Sequence, residues 1–343
     1  MTERNSASLL IQQDRPANQL KRRISSIDVA AGLTIILVVI GHLQFLDSEI
    51  VWYSRLRAFI YQFHMQVFFF LAGFLFFYTK DIESPAYRHW SFVLGKVRKF
   101  GKPFIFFSLF FYGMEWALAD NKSAFIARWK TDVYQQLFVP YMAYPGFLWF
   151  IYVLLMFYAV VPLLARFLPR RWHWLLLAVG LFLPYFVTTP LLCLNFFAKH
   201  FLFFVCGMLY CRHKNNVDLH ISRWGWLFLV AMGGWLVWAL CGGFRLPTWV
   251  AVVAVPAMMK VSSRFAGSAF LQRAGRTSFA IYLQNMTIIG GIYVILTRVL
   301  HLDASTLKWC MPLFVAAAVG LPLVLEQLLP RRWRLSREIL GYQ

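Results

Sequence analysis

The sequence predicts an all-α fold, a polytopic membrane bundle of about ten transmembrane helices with N- and C-termini cytoplasmic. Three observations lead there. The 343-residue chain is 60% hydrophobic and 14% charged, whereas soluble domains run near roughly 45–50% and 25%. Its apolar residues gather into segments of near-membrane length. Its Lys and Arg residues gather in every second segment between the spans, the asymmetry that fixes orientation.

A helix needs about twenty residues to cross the hydrocarbon. The candidate spans are roughly 27–46, 59–78, 103–118, 147–165, 174–190, 195–211, 224–241, 246–260, 277–297 and 309–329. The fifth, sixth and eighth are short or carry proline, and a re-entrant hairpin built from two of them is the alternative. With the N-terminus in the cytoplasm, the inner segments hold 25 of the 34 Lys and Arg residues and the outer ones nine. An odd number of helices spoils that asymmetry.

The expected organisation is a polar cytoplasmic tail (1–23), a membrane domain (24–330) and a basic cytoplasmic tail (331–343) lying at the interface, with no second domain or internal repeat. The tail 1–23 is too long and polar for the n-region of a signal peptide, so the first apolar run is expected as a retained helix. The formal charge of +20 does not point to nucleic acid, because the basic residues lie between apolar spans. It favours membrane lipids that are anionic, or substrates that carry phosphate. Cys193, Cys206, Cys211, Cys241 and Cys310 form no CxxC pair and sit in or beside apolar runs. They read as small buried hydrophobes, with no disulfide framework and no metal site.

Polar groups within apolar spans carry the functional signal. In the expected topology His42, near the end of the first span, and His64, near the start of the second, lie toward the same side of the bilayer, held together by the short loop 47–58. A neutral imidazole there can take a proton from a hydroxyl. Asp28 lies 14 residues before His42, about 40° away on the helical wheel and about 21 Å along the axis. The two cannot touch, but they mark the ends of one lane. Asp28 also suits the start of a helix, after Ser25 and Ser26.

Glu115, near the outer end of the third span, is a candidate to orient a histidine or bind a sugar hydroxyl, or else snorkels to the interface. Lys199 and His200 open the sixth span and either line the same mouth or face water. Glu326 reads as interfacial. Lys96, Arg98, Lys99 and Lys102 form a dense basic cluster before Pro103, suited to the phosphates of a nucleotide-like donor or to lipid headgroups. His42 and Asp47 also fit an HxxxxD pattern, which two residues produce readily by chance.

Several segments together resemble the acyltransferase-3 family, integral-membrane O-acyltransferases of bacterial surface glycans. Arg23-Ile24-Ser25-Ser26-Ile27-Asp28 followed by Gly41-His42 resembles the family's first helix, and Phe63-His64-Met65 through Phe68-Phe69-Phe70 to Gly73-Phe74 its second. Lys99 and Lys102-Pro103 resemble the stretch before the third. Gly146 with Trp149-Phe150, Tyr152, Tyr158 and Pro162 resembles the segment around the fourth. Phe203-Phe204, Gly207 and Tyr210 fit loosely, and Gly275-Arg276-Thr277-Ser278 with Ile281-Tyr282-Leu283 resembles the ninth.

The resemblance implies acyl-CoA (acetyl-CoA) as co-substrate, with no bound cofactor, and a hydroxyl acceptor on a cell-envelope polysaccharide or lipid-linked glycan. It implies residence in the cell inner membrane and makes His42 the catalytic histidine, with His64 and Glu115 positioning or polarising. Arg23, Arg98, Lys99 and Lys102 are the expected donor-phosphate residues, and Asp28, Trp149, Tyr152, Tyr282 and Asn285 the expected substrate-binding residues. There are departures. Many members carry Arg or Lys eleven positions before the histidine, where this chain has Ala31; Arg22, Arg23 or the 96–102 cluster are the substitutes. A Leu-Leu-His is here Leu283-Gln284-Asn285, and Gln66 replaces a common proline. The competing readings are an exporter or flippase of a glycan or lipid-linked sugar, and a non-catalytic scaffold.

Overall fold

A computed structural model describes residues 23–119, 121–243 and 250–342. Most of the polar tail, including Lys21 and Arg22, and the first residues of the eighth expected span lie outside the described residues. Among those described the chain is all-α, without strands. The helices in order are α1 (Ser25–Gly41), α2 (Val51–Tyr61), α3 (His64–Thr79), α4 (His89–Leu118), α5 (Lys122–Phe138), α6 (Trp149–Phe167), α7 (Leu175–Phe186) and α8 (Leu194–Arg212). They continue with α9 (Lys214–Leu240), α10 (Val250–Arg264), α11 (Ala269–Arg276), α12 (Ser278–Val294), α13 (Ala304–Leu307), α14 (Met311–Leu328) and α15 (Arg334–Ile339).

Each expected span overlaps one of these helices among the described residues. Among the described residues, six stretches are long and apolar enough to cross a membrane: Val51–Thr79, Gly146–Phe167, Leu191–Arg212, Lys214–Leu240, Ser278–Val299 and Lys308–Leu328. α1 and α7 are shorter apolar helices. α4 and α10 are helical where spans were expected but belong to neither group. α9 turns Trp226, Val230, Val237 and Trp238 outward, as a helix bathed in lipid does. The chain is a multi-pass membrane protein.

Two segments differ from expectation, and a third helix stands outside the expected spans. Most of the supposed loop 47–58 is helical: α2 begins at Val51, runs almost directly into α3, and buries Tyr53, Phe59 and Ile60. The segment 119–145 contains α5, whose N-cap Asn121 accepts from the Ala124 N–H at 3.0 Å. The basic tail does not simply lie at the interface. After α15 it folds back, and the buried Tyr342 hydroxyl donates to the Pro322 carbonyl at 2.8 Å. Gln284 Nε2 donates to the Leu340 carbonyl at 2.9 Å. α5 and the tail are amphipathic or charged, so mean hydropathy does not register them.

Close helix contacts are made by glycine, as expected where apolar packing alone does not drive helices together. A Cβ on Gly73 of α3 would sit 2.2 Å from the Phe204 carbonyl oxygen of α8, and one on Gly275 of α11 would sit 1.8 Å from that of Asp28 in α1. Phenylalanine fills the space between helices: Phe157 of α6 stacks on Phe204 at 4.9 Å between ring centroids.

Candidate active site

The bundle encloses a cavity of about 1000 Å³ walled by α1, α3, α4, α6, α8 and α12. At one end its wall carries Arg23, Asp28, Lys80, Lys96, Lys99 and Arg276; at the other it carries His42, His64, Lys199 and His200. Phe68, Phe150 and Tyr282 are among the aromatic side chains lining it. Asp28 and His42 line the same cavity, as their shared helix face requires.

At the histidine end the polar groups are held in defined roles. Asn285 of α12 donates from Nδ2 to the carbonyls of Ile281 at 3.0 Å and Tyr282 at 2.7 Å. Its Oδ1 is therefore the atom turned toward His42 Nδ1, 2.6 Å away. An acceptor facing Nδ1 means that Nδ1 carries the proton, which leaves Nε2 of His42 as a lone pair. His64 lies at the first position of α3 and its Nδ1 faces the Ile60 carbonyl at 2.8 Å. A carbonyl can only accept, so Nε2 of His64 is also unprotonated in the neutral ring. Tyr282 donates its hydroxyl to the Phe147 carbonyl at 2.6 Å and presents its ring to the cavity.

The basic end has one carboxylate, Asp28, which lies 3.9 Å from Arg23. Lys96 stands over the rings of Tyr158 at 5.0 Å, Phe92 at 5.3 Å and Phe100 at 5.6 Å. Burial, reinforced by the charges of Lys99 and Lys80, pushes the Lys96 ammonium down to about 8. Burial also lowers Lys99, opposed by the charge of Glu338. This end is thus a partly desolvated cation cluster, which gains most from an incoming anion.

The basic cluster divides between the cavity and the outside of α4. Lys96 and Lys99, three residues apart, share the cavity face, while Arg98 and Lys102, four apart, share another. Lys102 pairs with Glu338 of α15, and neither Arg98 nor Lys102 lines the cavity. Arg23 and Trp149 line it and Tyr152 does not. Glu115 pairs with Arg128 of α5 and stands away from the cavity wall. Asp47 pairs with Arg57, which gives the HxxxxD acid a structural partner. Ala31 lines the cavity, whose wall also carries Lys96, Lys99 and Arg276.

Sequence reasoning placed Lys96 in the basic cluster but not among the donor-phosphate residues, left Arg276 without an assigned role and left His200 ambiguous. Gln66, also on the wall, buries an Oε1 with no hydrogen-bond partner. Among the described residues no group of three or more His, Cys, Asp or Glu side chains is placed to hold a metal ion.

Comparison with known proteins bears on the family. No curated protein and no solved structure matches the chain. A family model described as an acyltransferase domain matches residues 24–327, nearly the whole membrane domain. With that match over a membrane bundle, the protein is a membrane acyltransferase, and the chain belongs to the acyltransferase-3 family.

Proposed function

We propose that the protein moves an acyl group, most readily acetyl, from acyl-CoA to a hydroxyl of a cell-envelope polysaccharide or lipid-linked glycan. The observation that carries this reading is the single cavity with Lys96, Lys99, Arg23 and Arg276 at one end and the His42–Asn285 pair at the other. The cations would take the donor's phosphates, and the flexible arm carrying the thioester would extend along the cavity toward His42. The acceptor hydroxyl would enter at the histidine end.

His42 Nε2 would accept the hydroxyl proton as the oxygen attacks the thioester carbonyl. The C–O bond forms, the C–S bond breaks, and the proton passes to the departing thiolate. Asn285 takes the part of an orienting acceptor: it selects the useful tautomer but, being neutral, does not add negative charge behind the ring. Trp149 and Tyr282 offer apolar faces for a sugar ring. The basic end would lie in the cytoplasm, where acyl-CoA is available, with both termini on that side and ten helices in the inner membrane. The excess of Lys and Arg in the segments assigned to that side supports this orientation.

The deciding experiment uses protein in nanodiscs, wild type beside His42→Ala. Both receive acetyl-CoA or succinyl-CoA, with and without a glycan extract of the host envelope, and free CoA is followed. Release by wild type alone, stimulated by the extract, is the expected result. No release from folded wild type with either donor would shift the weight to glycan export.

A further inference from the structure

His200 is a third histidine on the cavity wall, and it differs from the other two. His42 and His64 each have an acceptor facing Nδ1. His200 does not, although it is 3% exposed. His64 reaches the carbonyl four residues back, as a helical histidine can. His200 instead packs against Phe69 at 4.8 Å, Trp149 at 5.6 Å and Phe196 at 6.3 Å, all at stacked angles. Its Nδ1 is sealed from solvent with no hydrogen-bond partner.

A buried N–H without an acceptor is rarer in folded proteins than a buried acceptor left unpaired. The neutral ring therefore carries its proton on Nε2. With Nδ1 closed off among aromatic side chains, Nε2 is the nitrogen that can serve the cavity the ring lines. The three histidines divide by role: His42 and His64 offer lone pairs and His200 offers an N–H. His64 is close enough to both His42 and His200 for their charges to interact, so all three belong to one end of the cavity.

We propose that His200 is a catalytic residue whose Nε2–H donates a hydrogen bond to the acyl carbonyl oxygen as negative charge develops on it. The inference rests on the acyl-transfer reading above. During attack, the hydroxyl proton goes to His42 Nε2, the carbonyl π pair moves onto oxygen, and the oxyanion accepts from His200. Collapse restores the carbonyl and expels the thiolate, which takes the proton from His42. His200 keeps its proton throughout. Removing one donor of this kind typically costs about 100- to 1000-fold in kcat.

Two measurements test it. The first needs no substrate: ¹⁵N NMR of histidine-labelled protein in nanodiscs, with the resonance assigned by the His200→Phe variant. The expected tautomer is Nε2–H for His200 and Nδ1–H for His42; an Nδ1–H or doubly protonated His200 overturns the proposal. The second is kinetic. His200→Phe keeps a ring to stack on Trp149 and is expected to lower kcat by about 100-fold at unchanged KM for acyl-CoA. His200→Gln, which can place an N–H near the position of Nε2, is expected to recover at least about tenfold of that loss. Equal loss in both variants, or His200→Phe within about threefold of wild type, overturns the donor role. If wild type transfers no acyl group, the acyl-transfer reading fails, while the NMR result still reports whether His200 presents a donor.

Discussion

Asn285 and His42 are 243 residues apart in sequence and 2.6 Å apart in space. The contact is directional, because both amide hydrogens of Asn285 face carbonyls of its own helix. Rotating the amide to present nitrogen to His42 would set oxygen against those carbonyls. One asparagine thus fixes which nitrogen of His42 carries the proton. Replacing Asn285 by Leu is expected to lower kcat by about 10- to 100-fold, with KM for the donor changed less than about twofold, because the base loses its tautomer preference while the basic end is untouched. Steady-state kinetics in nanodiscs checks this; a change confined to KM would place Asn285 in binding and not in orienting the base.

Lys96 supplies a pH dependence at the opposite end of the cavity. Burial lowers its ammonium to about 8, and only the protonated form attracts phosphate. Donor affinity is therefore expected to be full below pH 7 and to fall as pH rises through about 8. Bound phosphate stabilises the ammonium, so the pKa in the complex moves up and the loss is gradual. Calorimetric titration of CoA from pH 6.5 to 9.5 measures the profile. Lys96→Met should bind more weakly at low pH and lose most of the dependence between 7 and 9. The same dependence persisting in the variant would assign it to another group.

Orientation is open to direct chemistry. Single cysteines at Ser48 and Lys122 are expected to react with a membrane-impermeant maleimide added from outside intact cells, and one at Lys80 only after permeabilisation. Lys80 lines the basic end of the cavity, so labelling it from outside would reverse both the topology and the side from which the donor enters.

The helices were legible because long apolar runs leave few alternatives. The lane from Asp28 to His42 was legible because fourteen residues nearly complete four helical turns. The cavity face of the basic cluster was not legible from phase, because Lys99 is three residues from both Lys96 and Lys102, and the packing of α4 decides which of the two shares the cavity with it. Other features were hidden for physical reasons. The partner of His42 lies in α12, and its phase toward α1 is set by tertiary packing. Glu115 looked functional from its depth alone, and its pairing with Arg128 depends on α5, a helix that hydropathy does not detect. His200 was ambiguous because polarity at a helix start does not reveal which way the side chain turns.

The terminal fold-back gives a stability prediction. Tyr342 is buried against the end of α14, and its hydroxyl lies 3.1 Å from Gln284 Nε2. Gln284 precedes Asn285, so the docked tail braces the turn of α12 that orients His42. Tyr342→Phe removes only the hydroxyl and is expected to cost about 1 kcal/mol. Tyr342→Ala also opens a cavity and is expected to cost about 3 kcal/mol. Thermal unfolding in detergent should rank wild type above Phe above Ala. If the tail braces the site as well as the bundle, the Ala variant should also lose kcat at temperatures where it is fully folded, while donor affinity stays near that of wild type. An Ala variant as stable and as active as wild type would mean that Tyr342 braces neither the bundle nor the site.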